Sequence, residues 1–466
     1  MKRNNKICIL LFIIVSSLFS QSETRSPSRR SADKFTYDNK GQVFQYTGNS
    51  KMEDSSAIIT SHVMTFYKET EIATFSGNVR LYSKTNGSTI NAGYASYDGK
   101  TKYAYARNKP ILRSTTNNVT IRSSYMERDF NTPMAKAISN VHLTHIDKEN
   151  DKKTDGYADE LSYNMDTQVS VLKGNPRLYQ GNDRIEGEIL EYNSKISEAN
   201  VMGRGKIYIL QTNNYVEGTK TNNESQFSNY NIVTADRIVV NDYAGKDGQT
   251  RTLYAYGNVT AYFYEENMIL KGGYVEYEIE NEHMYMYQEP SVRIPNRGII
   301  AFGEWIEYKK DGESNQFKDI IFHNDVVLVD YDESLSLEGE LLHLDPDTKI
   351  ATISGEPCAY VEDRSIKIIS VTMQMFNDDE KLRANGDVFV ESKDMNSRSA
   401  WATYFDRRKY LRLWGETPYL KQGDSIVRGR EIKYYIETEK ITTGTILDFF
   451  FLEEEPVELP LNSYDL

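Results

Sequence analysis

Cysteine is nearly missing from this chain. Its 466 residues include two, Cys8 and Cys358. A disulfide-stapled scaffold is therefore excluded. Positive charge is also in deficit: 55 Lys and Arg stand against 68 Asp and Glu, a formal net charge of −13. That balance argues against nucleic acid as a partner. Six histidines are scattered at His62, His142, His145, His283, His323 and His343. On a strand, His142 and His145 point to opposite faces, so they do not converge on a metal. There is no nucleophile elbow, no phosphate-cradling glycine loop and no zinc-type spacing. Asp98, Asp129 and Asp406 read as turn residues rather than as an acid and base pair. Cys358 follows Pro357 at a strand start with no histidine nearby and reads as inert. The chain is thus expected to be no enzyme and to hold no metal and no cofactor. Beyond the N-terminus there is no long apolar run and no useful helical apolar period.

What is present begins with an address. Lys2, Arg3 and Lys6 precede the apolar run Ile7 to Phe19, and Ser20 and Ser22 offer small residues at a cleavage point. Residues 1–22 read as a cleavable secretory signal peptide, the run being too short to span a bilayer. Cys8 has no small residue before it, which argues against a lipoprotein site. The mature protein is expected to be exported, with Cys358 its one cysteine. Thirty-four Tyr and 18 Phe exclude wholesale disorder and lean the composition towards strands.

The chain then repeats. Ile185 to Tyr192 has the pattern apolar, any, small, any, any, apolar, any, aromatic. Copies begin at Arg30, Ile59, Ile90, Ile121, Gly156, Ile185, Val233, Leu270, Ala301, Leu337, Ile368, Arg398 and Val427. The third slot is Gly, Ala or Ser in every copy, although those residues form about a fifth of an ordinary chain. The last slot is apolar or aromatic in all but one copy, where Arg128 stands. A second landmark follows each copy: a turn residue and then Val or Pro, as in Gly77-Asn-Val79, Ser139-Asn-Val141 and Gly386-Asp-Val388. Pro110, Pro290, Pro357 and Pro418 fill the same slot, where a missing N–H suits a strand start or edge.

Apolar spacing of two, then three, then two is that of a strand whose inward face flips once. A β-bulge in the motif strand supplies the flip, and the small residue beside it leaves room for close approach. Each repeat is expected to give about three short strands joined by turns. One such unit cannot bury its own apolar face, but stacked units share a continuous core. The expected fold is all-β: an elongated twisted jellyroll of about 13 stacked repeats of ~31 residues, filling residues 23–447. Residues 448–466 form an acidic C-terminal tail. Thr212 to Asn231 and His145 to Asp155 are expected to be surface loops.

Segments such as Tyr157-Ala-Asp-Glu-Leu-Ser-Tyr-Asn164, Ile185-Glu-Gly-Glu-Ile-Leu-Glu-Tyr-Asn193, Gly174-Asn-Pro-Arg-Leu-Tyr-Gln180 and Ala235-Asp-Arg-Ile-Val-Val240 resemble the OstA-like repeats of the LptA family. Similar repeats form the periplasmic domain of LptD. The resemblance covers about residues 30 to 447, although this chain is longer than is usual for LptA and lacks the large barrel of LptD. It implies a periplasmic bridge that shields the acyl chains of lipopolysaccharide or lipooligosaccharide on the way to the outer membrane. Implied partners are such an acylated glycolipid, the jellyroll domains of inner- and outer-membrane transport components, and further copies of the chain end to end. The candidate groove-lining residues are Ile59, Met64, Phe66, Ile90, Leu190, Leu270, Val275, Ile306, Leu337, Leu342 and Ile432. The competing expectation is a structural or adhesive exported rod with a closed core and no lipid cargo; apolar residues in a β stack are core whatever the function.

Overall fold

The computed structural model describes residues 29–451, apart from 116–117, 148–151, 181–182, 194–195, 197, 211–229, 242–251, 265–266, 279–282, 311–316, 333, 346–347, 362–364, 377–380 and 445. The expected signal peptide and residues 452–466 of the expected tail lie outside the described residues. Among the described residues nearly everything is strand, and the one helical element is a 3-10 turn at Pro295–Arg297. Strands pair antiparallel with partners one to three strands along the chain, as the all-β jellyroll requires. The described residues fall into two compact units, within Met1–Tyr264 plus Tyr274–Glu280 and within Glu265–Gly273 plus Asn281–Leu466.

The first unit opens with β1 (Arg29–Ser31), β2 (Lys34–Asp38), β3 (Val43–Glu53), β4 (Ala57–Tyr67), β5 (Ile72–Ser83) and β6 (Thr89–Asp98). It continues through β7 (Tyr103–Arg107), β8 (Ile111–Ser114), β9 (Val119–Arg122), β10 (Tyr125–Asp129), β11 (Met134–Asp147) and β12 (Lys152–Asn164). The expected three short strands per repeat are instead two long passes, a motif strand such as β4 and a return strand such as β5. The bulge lies on the return strand, not on the motif strand. Gly77 (φ 72°) and Asn78 (φ 50°) are both left-handed, yet β5 runs straight through them. Between the pairs Ser76↔Tyr94 and Val79↔Ala92, two residues of β5 oppose one of β6. What the sequence presents as a turn is therefore a two-against-one bulge, which bends the strand without reversing it.

Where the next residue is Pro, the ladder donor is gone and the strand breaks. Asn108 and Lys109 take the left-handed pair, and Pro110 separates β7 from β8. Pro290, Pro357 and Pro418 likewise stand immediately before the strands Ser291–Ile294, Cys358–Val361 and Tyr419–Gln422. The expected strand-start role of these prolines holds.

The bend also explains the small third slot. In four copies it is serine, and each hydroxyl donates to the carbonyl two residues on: Ser61 to Val63 (3.0 Å), Ser123 to Tyr125 (2.9 Å), Ser370 to Thr372 (2.9 Å) and Ser399 to Trp401 (2.9 Å). Where the slot is glycine, a neighbouring apolar side chain occupies the space. A Cβ on Gly339 would stand 2.8 Å from Ile353 Cγ1. Ser399 corrects the register of one copy: it starts at Ser397, not Arg398. Ser397 is buried and pairs with Val390 and Leu420, while Arg398 is exposed.

The expected loop at His145 to Asp155 is mostly strand. His145 to Asp147 end β11 and Lys152 to Asp155 begin β12, paired Asp147↔Lys152. Of Thr212 to Asn231, residues 212–229 lie outside the described residues, and Tyr230 and Asn231 open the strand Tyr230–Asn241. The strand Ile446–Phe451 pairs with Ser425–Gly429, so the sheet continues past residue 447. Asp98 accepts the backbone N–H groups of Lys100 (2.9 Å) and Thr101 (3.0 Å), and Asp129 that of Asn131 (2.8 Å), the turn role expected of them.

Candidate functional site: an alanine-walled apolar cavity

Strand register converts the motif into three inward rows in the first unit. The first slot gives Met52, Ile59, Leu81, Ile90, Leu112 and Ile121, each across from the next. The sixth slot and its partners give Met64, Phe75, Ala95, Ala106, Met126 and Ala137, continuing to Leu161. The eighth gives Phe66, Ala73, Tyr97, Ala104, Arg128 and Ala135, continuing to Tyr163. The bend at the third slot puts the first row on one leaf and the other two on the leaf facing it.

Between the leaves is a cavity of about 510 Å³, partly open to solvent, and residues of all three rows line it. Its origin is a matter of side-chain volume. Ala95, Ala106 and Ala137 lie in one row and Ala73, Ala104 and Ala135 in the next, so that six small side chains fall together on the wall. The equivalent sixth-slot row of the second unit runs Ile306, Phe322, Leu342, Ile353 and Met373, all 0% exposed, before it reaches Ala384 and Ala402, each 1% exposed. Close-packed interiors average few voids larger than a water molecule. A 510 Å³ apolar space instead falls in the size range of small-molecule sites.

Of the residues expected to line a groove, Ile59, Phe66 and Ile90 line this cavity. Met64, 1% exposed, sits behind them in a core cluster with Ala73, Phe75 and Val79. Leu190, Leu270, Val275, Ile306, Leu337, Leu342 and Ile432 are each 2% exposed or less and lie in the packed inner layers of their own strands. Bulky slots thus share the cavity wall with the alanines in the first unit. A run such as Tyr103-Ala-Tyr-Ala-Arg107 carries that signal, but only once its alternation is matched with the facing strands.

The cavity wall carries few charges. The Lys136 ammonium is 3.8 Å from the Glu160 carboxylate. Asp54 Oδ1 is held in its own turn by the backbone N–H groups of Ser56 (2.8 Å) and Ala57 (2.7 Å). The Tyr103 hydroxyl donates to Glu127; burial, with this hydrogen bond and the one shared with Tyr125, pushes its pKa up. Arg128 lies between Ala104 and Ala135, and its Nε is buried without a hydrogen-bond partner. Burial holds its guanidinium pKa below the ordinary value, against the pull of Asp129 and Asp166.

A second polar cluster, on the outer face of the second unit, escaped the sequence reading. His283 Nε2 lies 2.8 Å from Glu307 Oε1, Lys309 Nζ 2.7 Å from the same oxygen, and His323 Nε2 3.8 Å from Glu307 Oε2. The Trp305 ring stacks on His323 at 3.5 Å. Strand pairing brings these distant residues together, so no local spacing announces them. Among the described residues no group of three or more His, Cys, Asp or Glu could hold a metal ion.

Residues 59–198, under a third of the chain but including most of the cavity wall, match the family described as LptA/(LptD N-terminal domain) LPS transport protein. The OstA-like resemblance read from the residues is borne out over that segment. Among solved structures, the chain is similar to LptH of Pseudomonas aeruginosa, described as the LptA-homologous periplasmic component of the conserved lipopolysaccharide transport device. Identity is 18% over 42% of this chain and 92% of that one; the TM-score is 0.11, at which the likeness carries no argument. No curated protein matches the chain.

Proposed function

We propose that this protein shields the acyl chains of lipopolysaccharide or a similar acylated glycolipid in the periplasm during transport to the outer membrane, with the alanine-walled cavity as a binding place. The observation that carries this reading is the cavity itself, an apolar space of about 510 Å³ within a segment that matches a lipopolysaccharide-transport family. Moving one CH₂ out of water is worth about 0.8 kcal/mol, so a twelve-carbon chain resists exposure by roughly 10 kcal/mol. A trough that hides the chains and leaves the headgroup wet removes that barrier. The role needs no catalysis; any driving energy enters from transport partners on the two membranes. An adhesive rod needs a filled core, and the volume lost at Ala95, Ala106 and Ala137 speaks against it in this unit.

The test is extraction of the folded protein and mass spectrometry of what it carries, together with photocrosslinkers at Ile59 and Phe66. Bound acylated glycolipid and crosslinks to it are expected. Protein that is lipid-free and also takes up no added lipopolysaccharide would overturn the proposal.

A further inference from the structure

We propose that Arg128 makes the cavity selective for anionic amphiphiles, its guanidinium pairing with the phosphate or carboxylate of the molecule whose acyl chain fills the alanine-walled space. This rests on the acyl-binding reading above and adds the charge of the ligand and the residue that reads it.

Arg128 is the one cation in a motif slot that is otherwise apolar or aromatic. Register places it inward, on the row that holds Phe66, Tyr97 and Tyr163 in neighbouring repeats. Packing does not require a cation there, because Leu344 and Met375 fill the slot in other copies. Both cross-strand neighbours are alanine, so nothing in its own row occupies the space beside the guanidinium. The group is also under-satisfied. A guanidinium offers five N–H donors in a planar fork. Here Nη1 rests against the Met165 thioether, a weak acceptor, and the Phe130 ring centroid is 5.4 Å from Cζ. Nε is buried with no hydrogen-bond partner among the described residues. A buried donor left without an acceptor is costly, and more so when it is charged.

The carboxylates of Asp129 and Asp166 act on the guanidinium by charge, but Nε donates to neither. Glu127 is engaged by the Tyr103 hydroxyl, and Asp54 by its own turn. An amphiphile supplies both missing parts at once: methylenes for the alanine-lined volume, and two anionic oxygens for the fork. Bidentate pairing of this kind is what distinguishes arginine from lysine at phosphate and carboxylate groups.

The test uses the full chain and isothermal titration with decyl phosphate, decanoate and decanol below their micelle concentrations. Wild type is expected to bind the two anions about tenfold or more tightly than the alcohol, the size of one charge-assisted hydrogen bond. Arg128→Met is expected to lose that preference while keeping its affinity for decanol, and Arg128→Lys to keep part of it. The Met variant is also expected to unfold at no lower urea concentration than wild type, since it removes an under-satisfied buried charge. A stronger phosphate than carboxylate preference assigns a phosphorylated headgroup; the reverse assigns a free fatty acid. If wild type binds all three ligands without preference, or Arg128→Met keeps the preference, the Arg128 proposal fails and the acyl reading stands. If wild type binds none of the three, both fail.

Discussion

Ala95 and Ala106 stand directly across from one another on β6 and β7, where the equivalent pair in the second unit is Ile306 and Phe322. The backbone device is the same in both places and these two pairs differ in side-chain volume; further along the second unit's row Ala384 and Ala402 also face one another, each 1% exposed. In the first case the leaves enclose a cavity; in the second the row is filled.

Filling the space is the most direct check of that relationship. Ala106→Leu adds a branched side chain to the wall at a position 8% exposed. It is expected to cut amphiphile affinity about tenfold, while the urea midpoint stays level or rises, because burying a leucine is worth about 1.5–3 kcal/mol where room exists. Unchanged affinity, read by the same titrations, would show that the ligand sits elsewhere.

The left-handed bulge can be probed at Gly77. A Cβ there would stand 2.9 Å from His62 Cβ, and the φ of 72° lies in the left-handed region. Gly77→Val is expected to cost about 1–3 kcal/mol of unfolding free energy, as a β-branched residue forced to positive φ. Gly77→Asn is expected to cost less, since Asn108 and Asn324 take the first position of the same pair in other repeats. Equal losses for the two variants, measured by urea denaturation, would argue against backbone conformation as the cause.

The serine at the bend gives a third check. Ser370 is 6% exposed and donates to the Thr372 carbonyl. Ser370→Ala leaves that carbonyl without its hydroxyl donor and is expected to cost about 1 kcal/mol. By contrast Leu337→Ala, at a site 0% exposed, is expected to cost about 2–5 kcal/mol. Chemical denaturation that ranks the two the other way would mean the bend depends on the hydroxyl more than the core depends on Leu337.

Acid is expected to weaken the second unit. Burial against Trp305 holds the His323 pKa below 6.5, opposed by Glu307. Burial pushes Glu307 up, but the hydrogen bonds from Lys309 and His283 outweigh it, and the net shift is below 4.5. Both groups bind fewer protons folded than unfolded, so stability rises with pH. The His323 contribution is complete above its unfolded value and is lost as pH falls through its lower folded value; that of Glu307 is lost in turn below the usual carboxylate range. The urea midpoint is expected to drop as pH falls through and below the ordinary histidine range, and His323→Phe, which keeps a ring on Trp305, to flatten that phase. A midpoint that does not move over this range in wild type would contradict the assignment.

Much of the fold was legible in the residues. The third-slot serines and glycines, the prolines at strand starts and the inward slots all fall where the repeat puts them, because each answers to backbone geometry within a few residues. Two of the corrections are of one kind. The Gly77-Asn78 pair reads as a turn and leaves the bulge to the partner strand, because left-handed residues serve both turns and bulges, and only the facing strand tells them apart. The Arg398 register slipped by one for the same reason: either alternation reads as a strand until Ser397 is seen between Val390 and Leu420.

The sequence by itself determined that this is a stack of bent antiparallel strands, because the two-three-two spacing and its thirteen near-copies constrain which face of each strand is apolar. Tertiary structure alone decided where that stack is hollow. The space exists because alanines from several strands are brought into two adjoining rows and faced by another leaf, and Arg128 is left among them without enough acceptors. Volume summed across strands is not a property of any window of the chain.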